Sequence, residues 1–189
     1  MIVMKEYVER MRAGYREAFN VNEVNDLPLV LLTEVINQSI LHGATRISVV
    51  YDGKVFSVKD NAMPYEDDDL PWMLTCHHEG MMDAPLRRIF RILNRQWAFP
   101  PFCAVIALCS KFKLIVSKGD SVRCIVCHDG IVVSDKVGEV GIGDGNMVIL
   151  EPMTGIWSVE STILGDMLEQ IESRFPQVRI EFGHRMGLC

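Results

Sequence analysis

The sequence is short of positive charge: Lys and Arg number 19 against 25 Asp and Glu, a formal net charge of −6 over 189 residues. A chain of that balance does not wrap a phosphate backbone by itself, although a local pocket field need not follow the net charge. No apolar run approaches the roughly eighteen residues that a membrane span needs, so no membrane segment is expected. The first residues, Met1-Ile2-Val3-Met4-Lys5-Glu6-Tyr7, turn charged too early for a secretory signal. That points to a cytoplasmic location. Repeats and low-complexity linkers are also missing. Hydrophobic residues make up 49% and charged residues 23%, which excludes wholesale disorder and predicts one core-bearing domain over residues 1–189.

Cysteine is present without the context that would oxidise it. Cys76, Cys103, Cys109, Cys124, Cys127 and Cys189 are expected to be free thiols, most of them small hydrophobes inside apolar stretches. Cys124-Ile125-Val126-Cys127-His128 matches the haem-attachment string C-x-x-C-H. The stretch reads as a strand, however, where residues three apart face opposite sides, so neither haem nor zinc chemistry follows from it. Gly141-Ile142-Gly143-Asp144-Gly145 precedes a strand rather than a helix and reads as a turn, not a dinucleotide loop. Cys76, His77, His78 and Glu79 are adjacent loop residues of the kind usually solvated. Arg87, Arg88, Arg91 and Arg95 read as a solvated helix face.

Periodicity predicts the elements. Residues 4–18 read as a charged amphipathic helix within an N-terminal arm of residues 1–20. Asp26 can cap a second helix that starts at Leu27-Pro28, runs to about Leu41 and stops near Gly43. Strands at Thr45–Tyr51 and Lys54–Lys59 flank Asp52-Gly53, a strong hairpin signal. Helical spacing returns over 83–97, and Pro100-Pro101 breaks it. Phe102–Cys109 reads as a short buried helix. Strands then follow at Phe112–Ser117, Ser121–Cys127, Ile131–Ser134 and Asn146–Glu151, a helix at 160–174 and a strand at Val178–Phe182. This order predicts an α+β two-layer sandwich, with helices on one face of a mixed, mostly antiparallel sheet.

One constellation stands out chemically. Glu34, Asn37 and Gln38 sit at i, i+3 and i+4 of the second helix, so they project from adjoining turns of one side in a strongly apolar sequence. Fewer than twenty residues beyond that helix, a strand ends in Val58-Lys59-Asp60-Asn61. A carboxylate there can accept a hydrogen bond from an exocyclic amine. Together these residue types supply a general base, metal-ligating oxygens and a base-reading carboxylate. By spacing alone, a solvated helix glutamate and a plain turn are the more ordinary reading.

The stretch from Thr33 to Ile47, followed by Val58-Lys59-Asp60-Asn61, resembles the first two nucleotide motifs of the GHKL ATPases. That superfamily includes the B subunits of DNA gyrase and topoisomerase IV, MutL proteins, histidine kinases and related chaperones. Gly43-Ala44-Thr45-Arg46-Ile47 is particularly like MutL. Arg10-Met11-Arg12-Ala13-Gly14-Tyr15, the segment Ala107–Val116, Asp129-Gly130-Ile131-Val132 and Gly145-Asn146-Met147-Val148 resemble gyrase B at matching intervals.

The resemblance implies roles residue by residue. Glu34 matches the general base that activates water. Asp60, with Asn61 beside it, matches the carboxylate that reads the adenine amino group. Asn146 falls where the family has a threonine assisting at adenine, and Lys118 lies near a position often basic in gyrases. ATP and Mg²⁺ are the implied cofactors. A homodimer is the implied assembly, with DNA engaged only through a larger machine.

The chain also departs from the family. Gln38, with Asn37 beside it, stands where the family's metal-binding asparagine belongs, and Mg²⁺ demands near-octahedral oxygens at about 2.0–2.1 Å. Asp60-Asn61-Ala62-Met63-Pro64-Tyr65 lacks the glycines of the family's second motif, and the lid region, residues 62–101, ends in Gln96-Trp97-Ala98-Phe99-Pro100-Pro101 rather than a glycine-rich phosphate cradle. Weak or absent hydrolysis follows as an expectation. The alternative is a catalytically degenerate binding or scaffolding module with the same fold.

Overall fold

The computed structural model describes residues 8–9, 12–13, 27–68, 70, 74, 101–139, 143–153 and 159–184. The expected helix at 83–97, most of that at 4–18, the cap at Asp26, the arginine stripe, the Cys76–Glu79 group and the aromatic lid residues Trp97 and Phe99 lie outside the described residues.

Helix α1 spans Leu27–Leu41. Pro28 in the first turn costs no hydrogen bond there, because the first helical N–H groups have no partner within the helix. The helix ends in a Schellman motif. Gly43 takes φ +87°, its N–H donates to Ile40 at 3.0 Å, and the Ala44 N–H donates to Ser39 at 2.9 Å. Leu27, Leu31, Leu32, Val35, Ile36, Gln38 and Ser39 are buried on one arc of the helix. Glu34 lies at the border of that arc.

Strands β1 (Arg46–Tyr51) and β2 (Phe56–Asp60) follow as an antiparallel hairpin. The expected two-residue Asp52-Gly53 turn is instead a four-residue loop. Tyr51 pairs with Phe56, and the Asp52 carboxylate accepts from the N–H groups of Lys54 (3.1 Å) and Val55 (2.8 Å). An aspartate side chain standing in for backbone carbonyls stabilises the wider loop.

Helix α2 (Pro101–Ala107) leads into β3 (Cys109–Lys118), β4 (Ser121–His128), β5 (Ile131–Gly138) and β6 (Gly145–Pro152). Helix α3 (Ser161–Arg174) and β7 (Arg179–His184) close the order. The helix expected at Phe102–Cys109 thus starts one residue earlier and ends two residues earlier, with Cys109 already in the sheet. The strand expected at Ile131–Ser134 extends to Gly138, paired with β4 throughout.

The seven strands of the described residues are ordered β5-β4-β3-β6-β2-β1-β7. Among the described strands only the β1–β7 pair is parallel; the helix α3 crosses from β6 over β2 and β1 to deliver β7 to that edge. The architecture is α+β, a mixed seven-stranded sheet with helices on one side. Alternation places Ile47, Val49, Tyr51, Phe56, Val58, Phe112, Leu114, Val148 and Leu150 in the core beneath α1 and α2. The same period puts Asp60 and Asn146 inward, in a row that is otherwise apolar.

Cys127 is buried and Cys124 half-buried; the two pair with Phe112 and Ile115 respectively, on opposite faces of the sheet. Cys109, Cys124 and Cys127 are free thiols. Burial raises the Cys109 thiol pKa and pushes that of Cys127 up to about 12, so neither is a nucleophile at neutral pH.

Two glycines mark the ends of this framework, and they differ in kind. A Cβ on Gly43 would meet nothing within 4 Å, whereas one on Gly145, at φ +135°, would lie 2.3 Å from the Asp60 carbonyl oxygen. Gly145→Ala is therefore expected to cost more than about 2 kcal/mol and Gly43→Ala about 1 kcal/mol. Urea unfolding of the two variants, with unchanged slopes, checks the order.

Candidate functional site

The site is built around Asp60, the last residue of β2, 6% exposed. An ionised carboxylate in that position must be fully hydrogen-bonded or neutralised. Four donors meet it. Oδ2 accepts from the Ser39 hydroxyl on α1 at 2.6 Å. Oδ1 accepts from the Ala62 N–H at 3.1 Å, the Asn146 N–H at 3.1 Å and the Asn146 Nδ2 at 3.2 Å. The helix, the segment after β2 and the start of β6 thus converge on one side chain. A carboxylate offers about four lone-pair directions, two per oxygen. Oδ1 is crowded by three donors, and one direction on Oδ2 remains beside Ser39.

Asn146, 1% exposed, is bound through both ends of its amide. Nδ2 donates to Asp60 and to the Met63 carbonyl at 3.2 Å, and Oδ1 accepts from the Tyr65 N–H at 3.2 Å. This holds residues 63–65 across the start of β6. The Tyr65 ring then sits edge-on to His42 at 4.4 Å between centroids and to Phe102 at 5.8 Å. Burial first, and the charge of Asp60 second, raise the Tyr65 phenol pKa.

Further along, both Glu66 oxygens accept from Lys118 Nζ at 2.8 Å, and Asp67 meets Arg123 at 2.6 Å. Arg123 is itself doubly bonded to Asp135 at 2.9 and 2.8 Å, and these bonds hold the Asp135 carboxyl below its usual range. The acidic run after the second motif is therefore a strap tied to the sheet rather than a free charged loop.

The remaining candidates fall into two groups. Glu34 is half-buried on α1, and among the described residues no hydrogen bond or ion pair reaches its carboxylate. Desolvation raises its pKa above the ordinary value. Asn37 is half-buried and Gln38 buried one residue on, and among the described residues neither side chain makes a hydrogen bond. Asn61 is differently placed. Its Oδ1 accepts from the N–H groups of Thr45 (3.0 Å) and Arg46 (2.8 Å), and its Nδ2 donates to the Thr45 hydroxyl at 3.0 Å. It pins the entry to β1 with three of the four hydrogen bonds its amide can make. Lys118 is committed to Glu66.

Sequence reasoning missed Ser39, five residues beyond Glu34, and the part played by Tyr65. A serine buried on the same helical arc as Val35 and Leu32 was the available signal. Among the described residues, no group of three His, Cys, Asp or Glu side chains is placed to hold a metal, and no helix is long and apolar enough to cross a membrane.

A mixed sheet with helices on one side is also the fold of two solved domains. The chain has that fold. It is similar to the topoisomerase IV ATP-binding domain of Francisella tularensis, solved with a small-molecule inhibitor, at TM-score 0.66 and 18% identity over 97% of this chain and 52% of that one. It is also similar to the ATPase domain of the mismatch-repair endonuclease MutL of Aquifex aeolicus, at TM-score 0.57 and 18% identity over 85% of this chain and 58% of that one. The chain thus spans little more than half the length of these structures. No family model and no curated protein matches the sequence.

Glu34 yields a pH prediction. Its folded-state pKa is raised, so the folded protein holds this proton more tightly than the unfolded chain does. Its contribution to stability is complete below the unfolded pKa of about 4.3 and is lost as pH rises through the folded value. Glu34→Gln is expected to raise the melting temperature at pH 7, with the gain shrinking towards pH 4. Thermal melts across that range check it.

Proposed function

We propose that this chain is an adenine-nucleotide-binding domain in which Asp60 reads the exocyclic amine of adenine. The observation that carries the reading is the Asp60 carboxylate. It is buried, acceptor-only and supplied with four internal donors, and it keeps one acceptor direction on Oδ2. An amine N–H fits that direction; a 6-oxo base would set oxygen against oxygen.

In this reading Glu34 is the general base. Its raised pKa moves it towards the range in which a carboxylate takes a proton from water efficiently at neutral pH. Asn37 and Gln38 present amide oxygens on the turns adjoining Glu34, an all-oxygen donor set compatible with Mg²⁺, which commonly takes few protein ligands together with phosphate oxygens and water. When bound, Mg²⁺ would neutralise charge on the phosphates. The longer glutamine and a lid sequence poor in glycine favour binding with weak hydrolysis. Nucleotide-driven homodimerisation, coupling to DNA topology within a larger gyrase B-like assembly and a cytoplasmic setting belong to the same reading.

A second reading, a scaffolding module without ATPase activity, is favoured by one observation. Asp60 and Asn146 tie α1, residues 62–65 and β6 together through bonds among the protein's own groups. Under it, Glu34→Ala leaves cellular function intact.

Isothermal titration with a nonhydrolysable ATP analogue and Mg²⁺ separates the two. Saturable binding is expected, weakened by about tenfold or more in Asp60→Asn, which turns an acceptor towards a donor. Adenosine is expected to bind within about tenfold of ATP if phosphate contacts are few. No heat at millimolar nucleotide overturns the nucleotide reading. Any slow hydrolysis is expected to fall by about 10²-fold or more in Glu34→Gln.

A further inference from the structure

We infer that Asn146 is a positioning residue that sets base selectivity: it fixes which oxygen of Asp60 a ligand meets and holds Tyr65 beside it, without touching the ligand itself. The inference rests on the adenine-nucleotide reading above and gives Asn146 a role other than direct contact with the base.

Hydrogen-bond accounting leads to this role. An asparagine amide has two donors and an acceptor with two lone pairs. Both donors are used, one on Asp60 Oδ1 and one on the Met63 carbonyl, and Oδ1 accepts the Tyr65 N–H. The amide has a single sensible orientation, because a flip would set its oxygen against two acceptors and its NH₂ against a donor. With no donor to spare in a side chain 1% exposed, Asn146 has none to offer a nucleobase.

Its donors instead crowd Asp60 Oδ1. The Asn146 N–H and Nδ2, together with the Ala62 N–H, occupy that oxygen. The carboxylate cannot rotate without breaking these three bonds and the one from Ser39, so the acceptor left for a ligand is on Oδ2, beside the Ser39 hydroxyl. Gly145 is what lets β6 come this close, since any Cβ there would strike the Asp60 carbonyl. At its other end, the amide holds the backbone of the segment that carries Tyr65, whose ring packs between His42 and Phe102. One side chain therefore couples the polar reader to a neighbouring aromatic group. A hydroxyl at this position is too short to serve the Met63 carbonyl and the Tyr65 N–H together.

The test compares adenosine with purine riboside, which lacks the amine, by calorimetric titration of the unaltered protein and of Asn146→Asp. The unaltered protein is expected to prefer adenosine by about tenfold or more, the worth of one hydrogen bond to a charged acceptor. Asn146→Asp sets a second carboxylate against Asp60. It is expected to abolish that preference while changing purine riboside affinity by less than about threefold.

An unchanged ratio in the variant overturns the inference, as does an equal loss of both ligands, which is the mark of a purely structural residue. Equal binding of both ligands by the unaltered protein overturns it too. Binding of neither overturns the nucleotide reading itself and takes this inference with it.

Two measurements stand if Asn146→Asp does not fold. Asn146→Thr keeps the backbone donor to Asp60 and is expected to lose most of the preference; full retention overturns the inference. In the unaltered protein, the Asn146 side-chain amide resonances are expected to exchange slowly and to shift with adenosine but not with purine riboside. Fast exchange, or the same shift with both, overturns it.

Discussion

The structure depends on keeping one negative charge buried at the end of a strand. Leaving an ionised carboxylate at the Asp60 position unpaired would cost several kcal/mol, comparable to much of the stability of a domain this size. The cost is offset by four donors from three separate parts of the chain: Ser39 on α1, Ala62 in the segment after β2, and Asn146, twice, on β6. Because these donors are fixed, the relative placement of α1, β2 and β6 at this end of the sheet is fixed with them. The Schellman motif at Gly43, the clamp of Asn61 on Thr45 and Arg46, and the close approach of Gly145 all act within a few residues of the same point. The polar knot and the apolar core are complementary. The core holds the layers together and the knot sets their register at the site.

Glu34 presents the opposite case. It sits at the edge of the buried arc of α1 with no described partner, and desolvation works against its charge. A half-buried, unpaired carboxylate costs stability that the fold alone gains nothing from, and strain of this kind clusters where a group has chemistry to perform. The Asp60 carboxylate, by contrast, is met by four hydrogen-bond donors. Under the proposed function these two carboxylates, one satisfied and one not, are the reader and the base.

Much of the fold was legible. Pro28, the apolar run and Gly43 bounded α1 correctly, and strict alternation located β1, β2, β3, β4 and β6 within one to three residues. Strand ends were less legible. The Asp52 loop is wider than the sequence suggested, because the carboxylate takes two N–H groups that a two-residue turn would have paired differently. Strand β5 is longer, because its exposed residues carry little alternation and pair with β4 through the backbone. In the candidate site, Asp60 stood out by its place at a strand end and by the motif resemblance, whereas its inward period emerged only with β2 extended to Asp60. The clamp made by Asn61 was not legible, since an asparagine in a turn looks the same whether it faces a ligand or a neighbouring backbone.

By itself, the sequence determined the architecture and the types of side chain at the site, because periodicity, caps and glycine positions are local properties read within a few residues. What only the tertiary structure decided was who bonds to whom. Asn146 lies 86 residues from Asp60, Glu66 lies 52 from Lys118 and Asp67 lies 56 from Arg123. No spacing rule reaches across such distances. Those partnerships exist because the sheet order brings β6 between β2 and β3, and a buried polar group must then bond with whatever donor the packing sets beside it.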